Sequence, residues 1–418
     1  MAISRRVFVR AGGLALFSLG ADPLFLARAA WSLPRPGRSG ARSPVLVCLF
    51  QRGAVDGLSM IVPHGERSYY EDRPRIAVPR NQLIDLDGHF GLNPALASLK
   101  PYWDNRSLAA VQAVGSPDET RSHFDAQDYM CSGTPGLKST SDGWLNRYCQ
   151  HQQEHTNTPF RSVAFGAELP RALAGSAPAL AINDLSAFGL RAGRPETTDR
   201  LTAAFEALYD AEATGLVASS ADEGFEAARI LRTVNPGQYQ PANGAEYPRG
   251  RFGQAMRQVA QLIKTDVGLE IAFADVGGWD THVNQGSGEG QLAGRLTEFG
   301  GSLAAFATDL GELMADVVVL TMSEFGRTVK ENGSSGTDHG HATAMLVLGG
   351  PVNGGKVLGR WPGLDPSQRY QGRDLAVTTD FRDLFAELLA RHLGGTELGS
   401  VFPGYDVNPA RFPGAIRS

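Results

Sequence analysis

Short, almost unbroken apolar runs punctuate this chain at 45–50, 162–165, 267–274, 317–322 and 344–348. Each has strand length, and continuous apolar character suits strands buried on both faces of a parallel sheet. Between them, apolar positions recur at helical spacing. Leu292, Leu296, Phe299, Leu303, Phe306, Leu310 and Leu313 mark a helix over 291–314, and Phe252, Met256, Val259 and Leu262 mark another over 251–264. Leu201, Phe205 and Leu208 mark one over 199–213, with a shorter one at 223–232. Asp380 stands as N-cap before the stripe Phe381, Leu384, Phe385, Leu388 and Leu389. This alternation predicts an α/β fold of three layers, a mostly parallel central sheet flanked by helices. Residues 44–418 read as one domain with a helical excursion near 188–250, and no internal repeat is evident.

The first 43 residues have a different character. Arg5-Arg6 followed by Phe8, an apolar stretch from Ala11 to about Leu26, and Ala27-Arg28-Ala29 have the form of a twin-arginine export signal over 1–29. Asp22 and Pro23 interrupt the apolar stretch, which makes it a poor spanning helix. A Pro-, Arg-, Ser- and Gly-rich linker follows over 30–43. The expected destination is periplasmic or secreted, with the twin-arginine translocase as partner during export and no stable membrane span afterwards. Removing the signal, which has four arginines against Asp22, takes the net charge from −5 to −8. An acidic chain without a basic, aromatic-rich run is a poor nucleic-acid binder. Of three cysteines, Cys48 lies inside an apolar run and reads as a buried hydrophobe, while an oxidising compartment would permit a Cys131–Cys149 disulfide.

Chemistry concentrates beside the strand-like runs. Arg52 and Asp56 follow the first; Asp280 and His282 follow the run at 267–274 in Gly277-Gly278-Trp279-Asp280-Thr281-His282. Glu324 and Arg327 follow 317–322, and Asp338, His339 and His341 precede 344–348 in Gly336-Thr337-Asp338-His339-Gly340-His341. Ligands of open α/β sheets bind beyond the carboxyl ends of strands. Carboxylate and imidazole suit a divalent ion, zinc foremost, with manganese, calcium or iron as alternatives. Plainer roles stand beside these: Asp280 and His282 bracing a glycine turn, Asp56 capping one, Glu324 and Arg327 forming an ion pair, and Trp279 packing.

Several segments resemble the domain-of-unknown-function family 1501, a group of mostly exported bacterial proteins. They are Phe50-Gln51-Arg52-Gly53-Ala54-Val55-Asp56-Gly57-Leu58, Arg121-Ser122-His123-Phe124-Asp125-Ala126-Gln127, the two glycine-flanked motifs above, Ser323-Glu324-Phe325-Gly326-Arg327-Thr328 and Thr378-Thr379-Asp380. That family in turn resembles the alkaline phosphatase and sulfatase superfamily. The resemblance implies an alkaline-phosphatase-like sheet, usually two metal ions, and a nucleophile at a helix N-terminus. Carried over, Asp56, Asp280, His282, Asp338 and His339 would ligate metal, with His341 as the nearest candidate for a late histidine. Ser122 would be the nucleophile, with Arg52 or Arg327 binding a non-bridging oxygen. Ser122 is equally a plain N-cap, and His123 and Asp125 beside it offer a base or supporting role. The Cys-x-Pro-x-Arg signature of formylglycine is missing; Cys131-Ser132-Gly133-Thr134-Pro135 does not match it.

The expected function is therefore an exported metal-dependent hydrolase acting on a small-molecule or glycan ester of phosphate or sulfate. The alternative is a non-catalytic envelope protein that binds a glycan, a metal or a protein partner on the same fold.

Overall fold

The computed structural model describes residues 42–152, 158–187, 226–227, 230 and 236–417. The export signal over 1–29, the linker up to 41, the helix expected at 199–213, most of that at 223–232, and most of the excursion at 188–250 lie outside the described residues.

Nine strands form the main sheet: β1 (Val45–Arg52), β5 (Leu108–Gly115), β6 (Ser162–Phe165), β7 (Leu180–Ile182), β8 (Ile271–Gly277), β9 (Val317–Met322), β10 (Thr343–Gly349), β11 (Lys356–Leu358) and β12 (Thr379–Asp380). Three short strands, β2 (Ile61–Val62), β3 (Ile84–Asp85) and β4 (Gly91–Leu92), pair separately. The main order is β11-β5-β10-β9-β1-β8-β6-β7, with β12 also on β5. All pairings are parallel except those of β10, which runs against both β9 and β5. The sheet is thus mostly parallel, with one reversed strand.

Alternation along β1 shows why the sheet needs cover on both faces. Val45, Val47 and Leu49 enter one core, while Leu46, Cys48 and Phe50 enter the other. Helices Arg251–Thr265 and Gln291–Leu310 close the first core, and helices Trp144–His151 and Phe381–Arg391 close the second. Asp380 caps the last of these by accepting from the Arg382 amide. The long helix stops at Leu310, before the expected 314, because Gly311 turns to φ +54° and a 3₁₀ turn follows. β8 starts at Ile271 rather than 267, after left-handed backbone at Asp266 and Gly268.

β5 is fully buried in the sheet, yet its sequence is broken by three alanines and Gln112, so it reads as a weaker apolar run than β1 or β9. A register shift opposite β10 accompanies the positive φ of Ala113. Among the described residues, no helix is long and apolar enough to cross a membrane.

All three cysteines are free and buried, so the Cys131–Cys149 disulfide does not form. Burial pushes the Cys131 and Cys149 thiols up to about 12 and raises Cys48 as well. The expected outcome is that native protein resists a thiol-specific chromogenic reagent at pH 8 and that all three thiols react after unfolding. Rapid reaction of one or more in the native state would contradict this burial.

Candidate metal centre

The direction of the strands decides where the polar loops meet. β1, β5, β8 and β9 end at one edge of the sheet, and the reversed β10 begins there. Residues that follow four strands and residues that precede a fifth therefore share one space. Two glycines let the loops close. Gly53 has φ +114°, and a Cβ there would lie 2.8 Å from the Asp280 amide nitrogen; a Cβ on Gly340 would lie 2.4 Å from the Arg327 carbonyl carbon.

Arg327 ties these loops together. Its buried guanidinium donates from Nε to Ala54 O (2.7 Å), from Nη1 to Thr337 O (3.1 Å), and from Nη2 to Gly53 O, Trp279 O (3.1 Å) and Asp280 Oδ1 (2.5 Å). Burial opposes ionisation of Asp280, yet the Arg327 hydrogen bond and charge, with His282 and His123, push its carboxyl down to about 2.

Around Asp280 Oδ1 stand three imidazole nitrogens: His282 Nε2 at 3.0 Å, His339 Nε2 at 3.3 Å and His123 Nε2 at 3.5 Å. His282 Nε2 and His339 Nε2 are 3.0 Å apart. The opposite ring nitrogens fix the tautomers. His123 Nδ1 meets Glu324 Oε1 at 2.8 Å, His282 Nδ1 meets Asp338 Oδ1 at 3.1 Å, and His339 Nδ1 meets Arg121 O at 2.8 Å. A carboxylate or carbonyl oxygen only accepts, so each Nδ1 carries the proton. With a cation bound among them, each ring would be neutral and its Nε2 lone pair would face the ion.

Without an ion, a proton on one of these Nε2 atoms would pair with Asp280; an ion would take the place of that proton. The Nε2 of His123 is buried and without a hydrogen-bond partner. Four-coordinate zinc with Zn–N near 2.0–2.1 Å has ligand-to-ligand edges of roughly 3.3 Å. The spacings above fall on either side of that value, and His123, Asp280 and His339 form a ligand group whose atoms lie within 4.8 Å of one another. Each imidazole also has the outer oxygen partner that metal-bound histidines use. The residues fit a divalent ion.

The sequence profile of the DUF1501 family, described as a protein family of unknown function, matches residues 103–402. The chain belongs to this family. In the DUF1501 chain the matched span contains all four cluster residues, whereas Arg52 and Asp56 precede it. Comparison with curated proteins returns no match. Among solved structures, the chain is similar to the PsFucS1 sulfatase from Pseudoalteromonas sp., at 12% identity over 90% of this chain and 74% of that one, with a TM-score of 0.42. It is similar to alkaline phosphatase from the Antarctic bacterium TAB5, at 10% identity over 75% and 93%, with a TM-score of 0.32. It is also similar to the phosphonate monoester hydrolase of Agrobacterium radiobacter, at 10% identity over 87% and 78%, with a TM-score of 0.33.

Other residues singled out in this DUF1501 sequence take supporting places. Asp56 is wholly buried and accepts from both terminal nitrogens of Arg73, from the Ser59 hydroxyl and from Gln285, so both of its oxygens are occupied away from the imidazoles. Asp338 orients His282 through Oδ1, which also accepts from Asn332. His341 turns away: its Nε2 donates to Ser116 O (3.0 Å), and its ring packs at 4.4 Å from that of Tyr370. Arg327 is consumed by the loops. Arg52 is held by Asp275 (2.6 Å) and by Gln127 (2.8 Å). Ser122 caps helix His123–Ser132, its Oγ facing the Asp125 amide at 3.5 Å, and is exposed next to His123. Trp279 is packing, buried edge-on against Phe299.

Two residues emerge with more direct roles than their sequence context signals. His123 is a cluster member, and its one cue was its place at the first turn of a helix after a strand-end loop. Glu324 does not pair with Arg327; Oε1 instead accepts from His123, Gln127 and the Gly53 amide. Burial opposes its ionisation, but these bonds hold its carboxyl below the usual range.

Glu324→Gln replaces an obligate acceptor at the His123 ring with an amide. Apparent zinc affinity is expected to fall about 10- to 100-fold with the fold retained, as measured by competition against a chromogenic chelator; unchanged affinity would detach Glu324 from metal binding. Asp56→Asn leaves the Arg73 charge buried without its partner and is expected to cost about 3–5 kcal/mol in urea unfolding. The folded Asp56 carboxyl is held below its ordinary value: burial opposes this, but the Arg73 charge and hydrogen bonds prevail. Its contribution is thus present above the unfolded carboxylate pKa of about 3.9 and is lost as pH falls through the lower folded value.

Proposed function

We propose that this chain is an exported, metal-dependent hydrolase of phosphate or sulfate esters, working with one divalent ion, zinc foremost. The observation that carries the reading is the set of three imidazoles, each donating from Nδ1 to an oxygen partner, whose Nε2 atoms converge on the ionised Asp280. His123, Asp280, His282 and His339 would hold the ion. A divalent ion there supplies Lewis-acid polarisation of a phosphoryl or sulfuryl oxygen.

The remaining roles belong to the chain's own side chains. Ser122, exposed at a helix N-terminus, is the nucleophile of this reading; the positive end of the helix favours its anion. Arg327 is buried and spent on the loops, and Arg52, at 28%, is less exposed than Arg373, so neither is the anion-binding group of this reading. Arg373 takes that place. It is 43% exposed, donates through Nη2 to the His339 carbonyl, and lies 3.4 Å through Nε from Asp374. Its planar fork suits a tetrahedral anion.

A specific observation also favours the alternative of a binding protein. Asp56 and His341 serve the fold, so the second set of ligands implied by the superfamily resemblance is not assembled among the described residues.

Elemental analysis of chelator-free protein is expected to find about one divalent ion per chain. His339→Ala should remove it. Kinetics on aryl phosphate and aryl sulfate should show kcat falling at least about 10²-fold in Ser122→Ala with metal content unchanged. Stoichiometric metal with no turnover of either ester in the wild-type protein would decide for a metal-holding binding protein, and protein without metal would overturn the hydrolase reading and leave the alternative only a glycan or protein partner.

A further inference from the structure

Asp374 is wholly buried, and the centre described above makes no direct use of it. Taking a carboxylate out of water is costly, and an apolar residue of similar size often serves stability as well as a buried ion pair does. Its placement therefore calls for another account. Oδ2 accepts from Arg121 Nε at 3.2 Å and from Arg121 Nη2 at 2.6 Å. Oδ1 has no hydrogen-bond partner, and Arg373 Nε stands 3.4 Å from it.

Arg121 lies in a stretch with little regular support. β5 ends at Gly115 and the next helix begins at His123, so the backbone from Ser116 to Ser122 belongs to neither a strand nor a helix. The Arg121 carbonyl is nonetheless the acceptor for His339 Nδ1, at 2.8 Å. An acceptor can orient a ring only if it is itself held in place. Asp374 is held from the other side: its backbone bridges to Thr328, the Thr328 amide donates to Asp338 O at 3.0 Å, and His339 bridges to Arg327. These links close a circuit. It runs from the His339 imidazole to the Arg121 carbonyl, along Arg121 to its guanidinium, to the Asp374 carboxylate, and through the backbone of Thr328 and Asp338 to His339 again. The ties of the same loop to Tyr370 and Gln371, through Glu119 and Arg121, are exposed, where water competes for the same groups.

We infer that Asp374 is a positioning residue of the metal centre: acting through Arg121, it holds the Nδ1 side of His339 and so aims Nε2 at the space shared with His123, Asp280 and His282. The use of Nε2 rests on the metal-centre reading, whereas the link from Asp374 to the ring stands without an ion. A carboxylate suits the task because two nitrogens of one guanidinium converge on a single oxygen. An amide there would offer a weaker, uncharged acceptor.

The test reads the His339 ring directly. Full-length protein, isotope-labelled at histidine and freed of metal with a chelator, is studied by NMR at neutral pH and low temperature. Wild type should show a protected Nδ1–H resonance, assigned by its loss in His339→Gln. Asp374→Asn should lose that protection, as should Arg121→Met, which alters a side chain 28% exposed. Arg121→Lys keeps the charge and should restore it in part. Apparent zinc affinity, measured by chelator competition, is expected to fall about tenfold in each of the first two variants. It should fall no further in the Arg121→Met/Asp374→Asn double variant, because both changes break one link. Unchanged protection in the single variants, no protected His339 resonance in the wild type, or affinity losses that add in the double variant would overturn the inference. Lost protection with unchanged zinc affinity would overturn the bearing of Asp374 on the metal centre. If Asp374→Asn does not fold, Arg121→Met and Arg121→Lys decide by the same resonance. Protection lost as expected in a protein that binds no zinc would uphold the positioning role and overturn the metal reading, and unchanged protection in zinc-binding protein would overturn the positioning role alone.

Discussion

The structure turns on one buried guanidinium. Arg327 has five N–H groups, and every acceptor it meets belongs to a loop at one edge of the sheet: Gly53 and Ala54 after β1, Trp279 and Asp280 after β8, and Thr337 before β10. Backbone carbonyls buried away from water need donors, and irregular loops that pack against one another have few ladders to supply them. A planar, permanently charged fork does so in five directions from one point. Its charge is balanced by Asp280, the one carboxylate at the centre of the imidazoles. Loop packing and the ionisation of a ligand are thus served by a single side chain, which explains why Arg327 is buried in the scaffold and does not face a ligand.

A second buried arginine does the same work one layer further in. Arg73 holds Asp56 with two nitrogens and donates to the Thr328 and Val329 carbonyls. Asp56 in turn accepts from Gln285, whose Oε1 accepts from the Thr281 and Thr337 hydroxyls. Those threonines sit inside the two histidine motifs. The effect of Asp56 on the centre is therefore mechanical: it fixes the amide that fixes the loops. A buried charge pair costs desolvation that its own attraction only partly returns. Here the return includes the placement of Asp280, His282 and His339.

Strands β1, β6, β8, β9 and β10 and the loops beside them were legible because both rest on local patterns. Continuous apolar runs identify strands buried on two faces, and polar residues at their ends identify the loops. β5 was not legible: its alanines satisfy a buried strand only because the facing layers supply the bulk that the residues themselves lack. Individual roles were less legible than the centre. Asp56 and Asp338 look alike in sequence to Asp280, each an aspartate within two residues of a glycine or histidine in a strand-end loop. What separates them is which partner reaches each oxygen, and those partners, Arg73 and Asn332, come from segments without any motif. His123 shows the converse. Nothing beside it in sequence marks a ligand, and Glu324, 201 residues away, is what turns its ring toward Asp280.

Which atoms stand open to an ion follows from the same accounting of partners. Two-metal centres need two sets of ligands whose remaining valences are free. In this chain the oxygens of Asp56 are filled by Arg73, Ser59 and Gln285, and Nε2 of His341 is spent on Ser116. Asp338 spends one oxygen on His282 and Asn332. The atoms left facing one another are three ring nitrogens and one carboxylate oxygen, of which those of His123, Asp280 and His339 all lie within 4.8 Å of one another. With Arg327 already within hydrogen-bond distance of Asp280, a second dication beside the first would add charge where one permanent cation already stands. In the proposed reading, the charge of Arg327 beside Asp280 thus weighs against a second ion, although Nδ1 of His341 is buried without a hydrogen-bond partner.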